Sequence, residues 1–289
     1  MSAKILNGNA VANWWKEAIK IRIKNSKVTP CLAVVLVGND PASEVYVRNK
    51  NKDCIDCGIK CTTFYLDATE SEDEVVSLIK NLGEDPSIHG IIVQLPLPKH
   101  INENTVIAAI PSEKDVDCFR EINLGSMFKH GRTYKSFIPC TPFGVMYLLQ
   151  AHNIDVAGKH CVIVGRSNLV GKPLSMLMLA ENATVTICHS HTQNLAEITK
   201  QADILVSAVG KRNLIAADMV KSGAVVVDVG INRDDNGKLC GDVDFDAVSE
   251  VASAITPVPG GIGPMTRAAL MYNTLFAYME QEGLDVNQF

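Results

Sequence analysis

No stretch of this 289-residue chain stays apolar for the roughly 20 residues that a membrane-spanning helix needs. Its opening, "MSAKILNGNAVANWW", lacks the sustained apolar run of a secretion signal. Positive charge is not in surplus either: 27 Lys and Arg stand against 32 Asp and Glu, a formal net charge of −5. That balance excludes a general attraction to nucleic acid or acidic membranes, so an anionic ligand must be held by local donors. Nine cysteines, an odd number scattered through a long chain, do not make a disulfide framework. Reduced thiols and a cytoplasmic location are the expectation. There is no internal repeat and no low-complexity segment.

What is present is enough apolar material (47%) for more than one core, and the length suits two domains. Short apolar runs alternate with amphipathic ones. "CLAVVLVG" (31–38) reads as a buried strand, 42–57 as a helix stopped at Gly58, and "KCTTFYL" (60–66) as a strand. A helix over 71–85 and a strand over 89–98 follow. A second series begins after "SFIPCTPFG" (136–144). It has strands at 160–165, 183–190, 202–210 and 223–230, and a helix at 171–182. The pattern predicts an α/β protein of two βα domains with parallel sheets, the second a Rossmann-type nucleotide-binding domain. The expected domains are 1–141, joined by a terminal helix over about 265–289, and 142–264. Ligands in such sheets sit beyond the carboxyl ends of the strands, where Lys50 and Gln94 fall.

"VIVGRSNLVGKP" (162–173) is a strand, a glycine-punctuated loop and a helix start, a place for pyrophosphate. The G-x-G-x-x-G fingerprint is missing, because Arg166 follows Gly165. An acid that would bind a ribose 2′-hydroxyl is missing as well: "CHSHT" (188–192) has Ser190 and no carboxylate. A serine and Arg166 suit a 2′-phosphate, so NADP is the expected cofactor. Ser190 could equally cap the next helix. "CIDCGIKC" holds Cys54, Cys57 and Cys61 but no second pair at zinc-ligand spacing, so no metal is expected. The imidazoles of "HSH" (189–191), alternating at a strand end, are expected to point apart.

Taken together, "SEVYVRNK", "GIIVQLPLP", "EKDVD", "IPCTPFG", "GRSNLVGKP" and "TPVPGGIGPMT" resemble, in order and spacing, one enzyme family. It is the bifunctional methylenetetrahydrofolate dehydrogenase/methenyltetrahydrofolate cyclohydrolase family, and the likeness covers nearly the whole chain. The resemblance implies oxidation of 5,10-methylenetetrahydrofolate with NADP, then hydrolysis to 10-formyltetrahydrofolate. It also implies a homodimer and a folate site in a cleft between the domains. By position, Lys50 is implied as the catalytic lysine, with Tyr46 and Gln94 beside it. Ser43, Val93, Leu95, Asp115, Asp117, Pro259, Gly260, Gly261 and Thr266 are implied as substrate contacts. Gly165, Arg166, Ser167, Ser190 and Ile231 are implied as cofactor contacts. Cys118 departs from the family, which usually has glycine after the second aspartate.

The residues suit that chemistry. Ser43, Tyr46 and Lys50 share a helix face. A free lysine amine, at about 10.4, is already protonated near neutrality and cannot act as a base; a nearby substrate cation opposes its charge by about the 4 kcal/mol required. Gln94, neutral and able to accept a hydrogen bond, holds the amine without recharging it. Asp115 and Asp117, alternate in an extended segment, would face one side and receive the donors of an aminopterin ring. The paired glycines of "TPVPGGIGPMT" suggest a close backbone wall for the ligand. A dehydrogenase of another small substrate on the same plan, or a non-catalytic NADP sensor, would leave Tyr46, Lys50 and Gln94 without a task.

Overall fold

The structure, a computed structural model, describes residues 2–26, 28–130 and 137–286. The chain opens with β1 (Lys4–Ile5) and α1 (Gly8–Lys24), then alternates β2 (Cys31–Val37), α2 (Pro41–Cys57), β3 (Lys60–Leu66), α3 (Glu72–Glu84) and β4 (Gly90–Val93). Helices α4 (Glu103–Ala108) and α5 (Glu121–His130) follow. The second series is α6 (Cys140–Ala151), β5 (His160–Val164), α7 (Gly171–Ala180), β6 (Thr184–Cys188), α8 (Leu195–Thr199), β7 (Ile204–Ser207) and β8 (Val225–Asp228). A small hairpin of β9 (Asn232–Arg233) and β10 (Leu239–Cys240), then α9 (Phe245–Ser249), β11 (Ala254–Ile255) and α10 (Ile262–Gln281), completes it.

These elements make two compact units. One comprises the described parts of Met1–Asn13 and Met127–Lys135, with Pro139–Thr266; the other comprises Trp14–Ser126, Phe137, Ile138 and the chain from Arg267 onward. In the second of these, a three-stranded parallel sheet has the order β3-β2-β4. All seven residues of β2 are buried, as expected of a central parallel strand. Its core of Ala33, Val35, Ile91 and Val93 is closed by Val75, Ile79 and Leu82 of α3. Helix α3 begins in a reciprocal capping box between Ser71 and Glu74. Helix α10 is held to this unit by side-chain amides: Asn273 donates to the carbonyls of Val116 and Ile138, and Gln281 to those of His89 and Glu113.

The other unit has a six-stranded parallel sheet, β1-β11-β8-β7-β5-β6. The strand order places β5 between β6 and β7, with the loops after β5 and β6 side by side. Its core is built from Val162, Val164, Leu205 and Val226. The sequence reading put residues 1–13 with the first domain. In the structure β1 pairs with β11 through Lys4↔Ala254 and Ile5↔Ile255, extending the sheet by one short edge strand. The strand expected over 89–98 stops at Val93: Gln94 donates one more bond to Val35, and Pro96 has no N–H to continue. No helix among the described residues is long and apolar enough to cross a membrane.

Candidate active site

In the three-stranded unit, β2 ends in Gly38-Asn39-Asp40-Pro41, and α2 starts at once. Asp40 is the N-cap, accepting from the backbone N–H of Ser43 at 2.8 Å, and Pro41 fills the first turn. Gly58, left-handed at φ 81°, ends the helix. Between these stops, Tyr46 and Lys50 lie one turn apart; Tyr46 is 41% exposed and Lys50 half-buried. Lys50 Nζ donates to Gln94 Oε1 at 3.1 Å, and Gln94 Nε2 donates to the Leu95 carbonyl at 2.8 Å. The second bond fixes which amide atom faces the lysine, so Gln94 presents an oxygen and no charge. Among the described residues no carboxylate pairs with Lys50. Val93 is the buried last residue of β4, and Leu95 lies just beyond it.

Ser43 shares the Lys50 face, but it is buried and its hydroxyl donates to Asp40 at 2.8 Å. It serves the helix start. The two aspartates also part company. The segment is not extended: Val116 and Asp117 form a turn closed by Cys118 N–H on the Asp115 carbonyl, at 3.0 Å. Asp115 is 1% exposed, and its carboxylate accepts from Phe119 N at 3.1 Å, Arg120 N at 2.9 Å and Asn123 Nδ2 at 2.8 Å. Burial pushes this carboxyl up, against the pull of those donors. Its oxygens are spent at the start of α5, so an outward-facing acid pair is not formed. Asp117 is half-buried and keeps a carboxylate with no hydrogen bond among the described residues. Cys118 adopts the left-handed φ of 58° that glycine would take freely, and its thiol donates to the Phe137 carbonyl at 3.3 Å.

In the six-stranded unit, the loop 165–170 joins β5 to α7. Gly165 has φ 127°, and a Cβ there would collide with the Ala208 carbonyl; one on Gly171 would collide with the Gly165 carbonyl. Both glycines are therefore needed for the tight turn from strand to helix, and a helix start of this kind can receive the pyrophosphate of a dinucleotide. Ser167 Oγ accepts from Val170 N at 3.1 Å, so it shapes the loop. Val164 and Cys188 are paired neighbours, and Arg166 and Ser190 each stand two residues further on, both exposed. No acid lies among residues 188–192. The arrangement fits a 2′-phosphorylated dinucleotide.

Strand β6 ends at Cys188, so strand alternation does not reach His189 and His191. Contrary to expectation their rings meet edge to face, with centroids 6.0 Å apart, and His191 N–H donates to His189 Nδ1. No group of three His, Cys, Asp or Glu among the described residues is arranged to hold a metal. Cys54 and Cys57 are buried and Cys61 half-buried, small residues between α2 and β3.

Beyond β7 and β8, two buried carboxylates escaped the sequence reading. Asp242, fully buried, accepts from Ser207 Oγ, from the N–H groups of Val209, Gly210 and Lys211, and from Asn232 Nδ2. Asp228 accepts from Gly230, Asp242 and Val243 N–H groups; burial pushes it up to about 6. Together they set the loops that present Val209 and Ile231, both apolar and about half exposed. An aspartate closing the apolar run "VVVD" was the available signal.

The segment 256–261 explains its own glycines. Gly260 O accepts from Asn9 N–H at 3.2 Å, and a Cβ on Gly8 would strike the Gly261 carbonyl. Pro259, just before the pair, is exposed. Thr266 pairs with Thr141 through their hydroxyls at 3.1 Å. The glycine pair thus needs no ligand to account for it.

A parallel sheet with a bare glycine loop, and a lysine held by a neutral amide at the end of another parallel sheet, define a two-domain α/β dehydrogenase. The NAD(P)-binding domain model of tetrahydrofolate dehydrogenase/cyclohydrolase matches residues 139–282, and the catalytic domain model matches residues 6–117. A bifunctional FolD protein of Halalkalibacterium halodurans is 56% identical over 97% of this chain and 100% of its own length. The bifunctional FolD methylenetetrahydrofolate dehydrogenase/cyclohydrolase of Campylobacter jejuni superposes with a TM-score of 0.94 at 46% identity, covering 96% of this chain and 99% of its own. The Trypanosoma brucei enzyme, solved with NADP and an inhibitor, gives 0.92 at 34% identity, covering 97% and 98%. The chain belongs to the tetrahydrofolate dehydrogenase/cyclohydrolase family. It is a bifunctional enzyme of one-carbon folate chemistry, acting on tetrahydrofolate substrates.

Proposed function

We propose that Lys50 is the proton acceptor for the hydrolytic half of the two-step reaction, with Gln94 holding it and Tyr46 beside it. In the first step 5,10-methylenetetrahydrofolate loses a hydride and becomes the methenyl cation. When bound, NADP supplies the acceptor for that hydride. In the second step water adds to the cationic carbon, one proton is released, and the carbon–N5 bond opens to give 10-formyltetrahydrofolate. The amine next to a cation holds its own proton less firmly, by about 4 kcal/mol for unit charges 4 Å apart at an effective dielectric near 20. Loss of that proton makes it a base for the attacking water.

The carrying observation is the 3.1 Å bond from Lys50 to an amide oxygen whose own NH₂ is already engaged. A carboxylate in Gln94's place would keep the lysine charged. Asp117, with a free carboxylate, is the proposed partner for pterin N–H donors. NADP over NAD is supported by Arg166 and Ser190 beyond adjacent strands and by the lack of an acid there. The bare loop at Gly165 suits the pyrophosphate. Nine cysteines, an odd number and most of them buried, support a reducing cytoplasm, and the functional unit is proposed as a homodimer.

Mixing protein, methylenetetrahydrofolate and NADP, and following the methenyl absorbance and its decay, tests this reading. In Lys50→Met the methenyl product should build up, with hydrolysis slowed about 10²–10⁴-fold, the usual worth of a positioned base. Hydrolysis at the full rate in that variant would refute the role of Lys50.

A further inference from the structure

Asp53 follows Lys50 by one turn of α2, on the stripe that also carries Tyr46. Its side chain is only 5% exposed. Lys16 Nζ, from α1, donates to Asp53 Oδ1 at 2.8 Å. Arg267 Nε, from α10, stands 3.2 Å from Oδ2. That second contact is ionic without hydrogen-bond alignment, since Oδ2 is a buried atom with no hydrogen-bond partner. One carboxylate is thus enclosed by two cations drawn from two other helices. The cluster carries a net charge of +1.

A bare carboxylate one turn from Lys50 would hold a proton on the amine and oppose its use as a base. Paired as it is, Asp53 is compensated by both cations, and the cluster as a whole bears a surplus positive charge. The remaining groups around Lys50 in this unit are neutral or weakly acidic: the Gln94 amide, the Tyr46 phenol on α2, and the Cys61 thiol on β3, which feels the lysine's charge. Arg48 and Lys52 lie on the exposed flank of α2 or next to it.

We infer that Lys16, Asp53 and Arg267 are positioning residues for Lys50: they pin α2 to α1 and α10 and keep the field at the amine positive. This rests on the reading of Lys50 as the proton acceptor. The cluster acts through Lys50, not on substrate.

The test is the pH profile of methenyl hydrolysis in the full-length enzyme. Removing one cation, as Arg267→Met or Lys16→Met, should move the midpoint of the hydrolytic rate upward by about half to one pH unit, on the order of the effect of one unit charge acting through partly buried protein. Arg267→Lys should restore it. Asp53→Asn should move the midpoint down by a similar amount. If Asp53→Asn does not fold, the Arg267 pair suffices, because that side chain is 30% exposed and tolerates change. Midpoints that stay put while melting temperature falls would reduce the cluster to a structural tie and overturn the inference. So would shifts of the opposite sign. Failure of the underlying reading has a different signature, namely hydrolysis that persists in Lys50→Met.

Discussion

The two units treat a buried carboxylate in opposite ways. Asp53 is met by two flexible cations, Lys16 and Arg267, whose side chains reach in from other helices. Asp242 is met by backbone, with three successive N–H groups and two neutral side chains turned toward it. Cations can be exchanged or removed singly, and they leave a field behind. Amides compensate charge by geometry alone, and they make the loop's shape depend on the charge. A site that needs an electrostatic setting has the first arrangement; a loop that needs a fixed form has the second.

The contrast breaks first at Asp242. Asp242→Ala should strand five donors at the ends of β7 and β8 and cost about 3–5 kcal/mol, the range for removing one partner of a buried charged network. Loss of cofactor binding should accompany the fall in denaturant midpoint. The matching change Asp53→Ala should cost less, about 1–2 kcal/mol, since Lys16 and Arg267 are partly exposed and can rehydrate. Equal costs at the two positions would remove the distinction.

A smaller effect comes from Asp228. Its folded-state value of about 6 lies above the ordinary unfolded value of about 3.9. Between those values the native protein holds more protons than the unfolded chain, so this group's contribution to stability falls as pH rises from 4 to 6. Above 6 it is flat. The difference in unfolding free energy between the parent and Asp228→Asn should therefore change by on the order of 2–3 kcal/mol across that window. A constant difference would mean that the amides around Asp228 have already cancelled its burial.

Smallest is Cys118→Gly. It relieves a left-handed backbone beside the Asp115 cup, worth about 1 kcal/mol, but removes a buried thiol that touches the Phe137 carbonyl, worth about as much. Melting temperature should move by only a few degrees, with Asp115 still accepting from the Phe119 and Arg120 N–H groups. A large loss would show that the thiol, more than the turn, holds this segment.

Much of this architecture was legible in the residues. The strand 60–66 was read to the residue, because Gly58 stops α2 cleanly and β-formers follow. Lys50 and Gln94 were legible as a pair, since helix spacing and a strand end put both at one sheet edge. Helix α6 was not, being buried on nearly all sides and so without an amphipathic period. Strands β1 and β11, two residues each, are too short to leave a periodic signal. Asp115 was misjudged for a different reason: the turn at Val116 and Asp117 depends on a left-handed cysteine, a conformation that residue type argues against. The Asp53 cluster was invisible because its partners come from α1 and α10, far away along the chain.

The pairing of β1 with β11, and the seating of Gly8 and Asn9 against Gly260 and Gly261, set a timetable for the newborn chain. Lys4 and Ile5 find their strand partner only once Ala254 and Ile255 are available. The β2–β3–β4 sheet is made from neighbouring segments, whereas the larger sheet joins segments about 250 residues apart. Long-range closure of this kind slows assembly. A chain that stops before residue 254 would lack the strand partner of Lys4 and Ile5, and its six-stranded sheet should form incompletely.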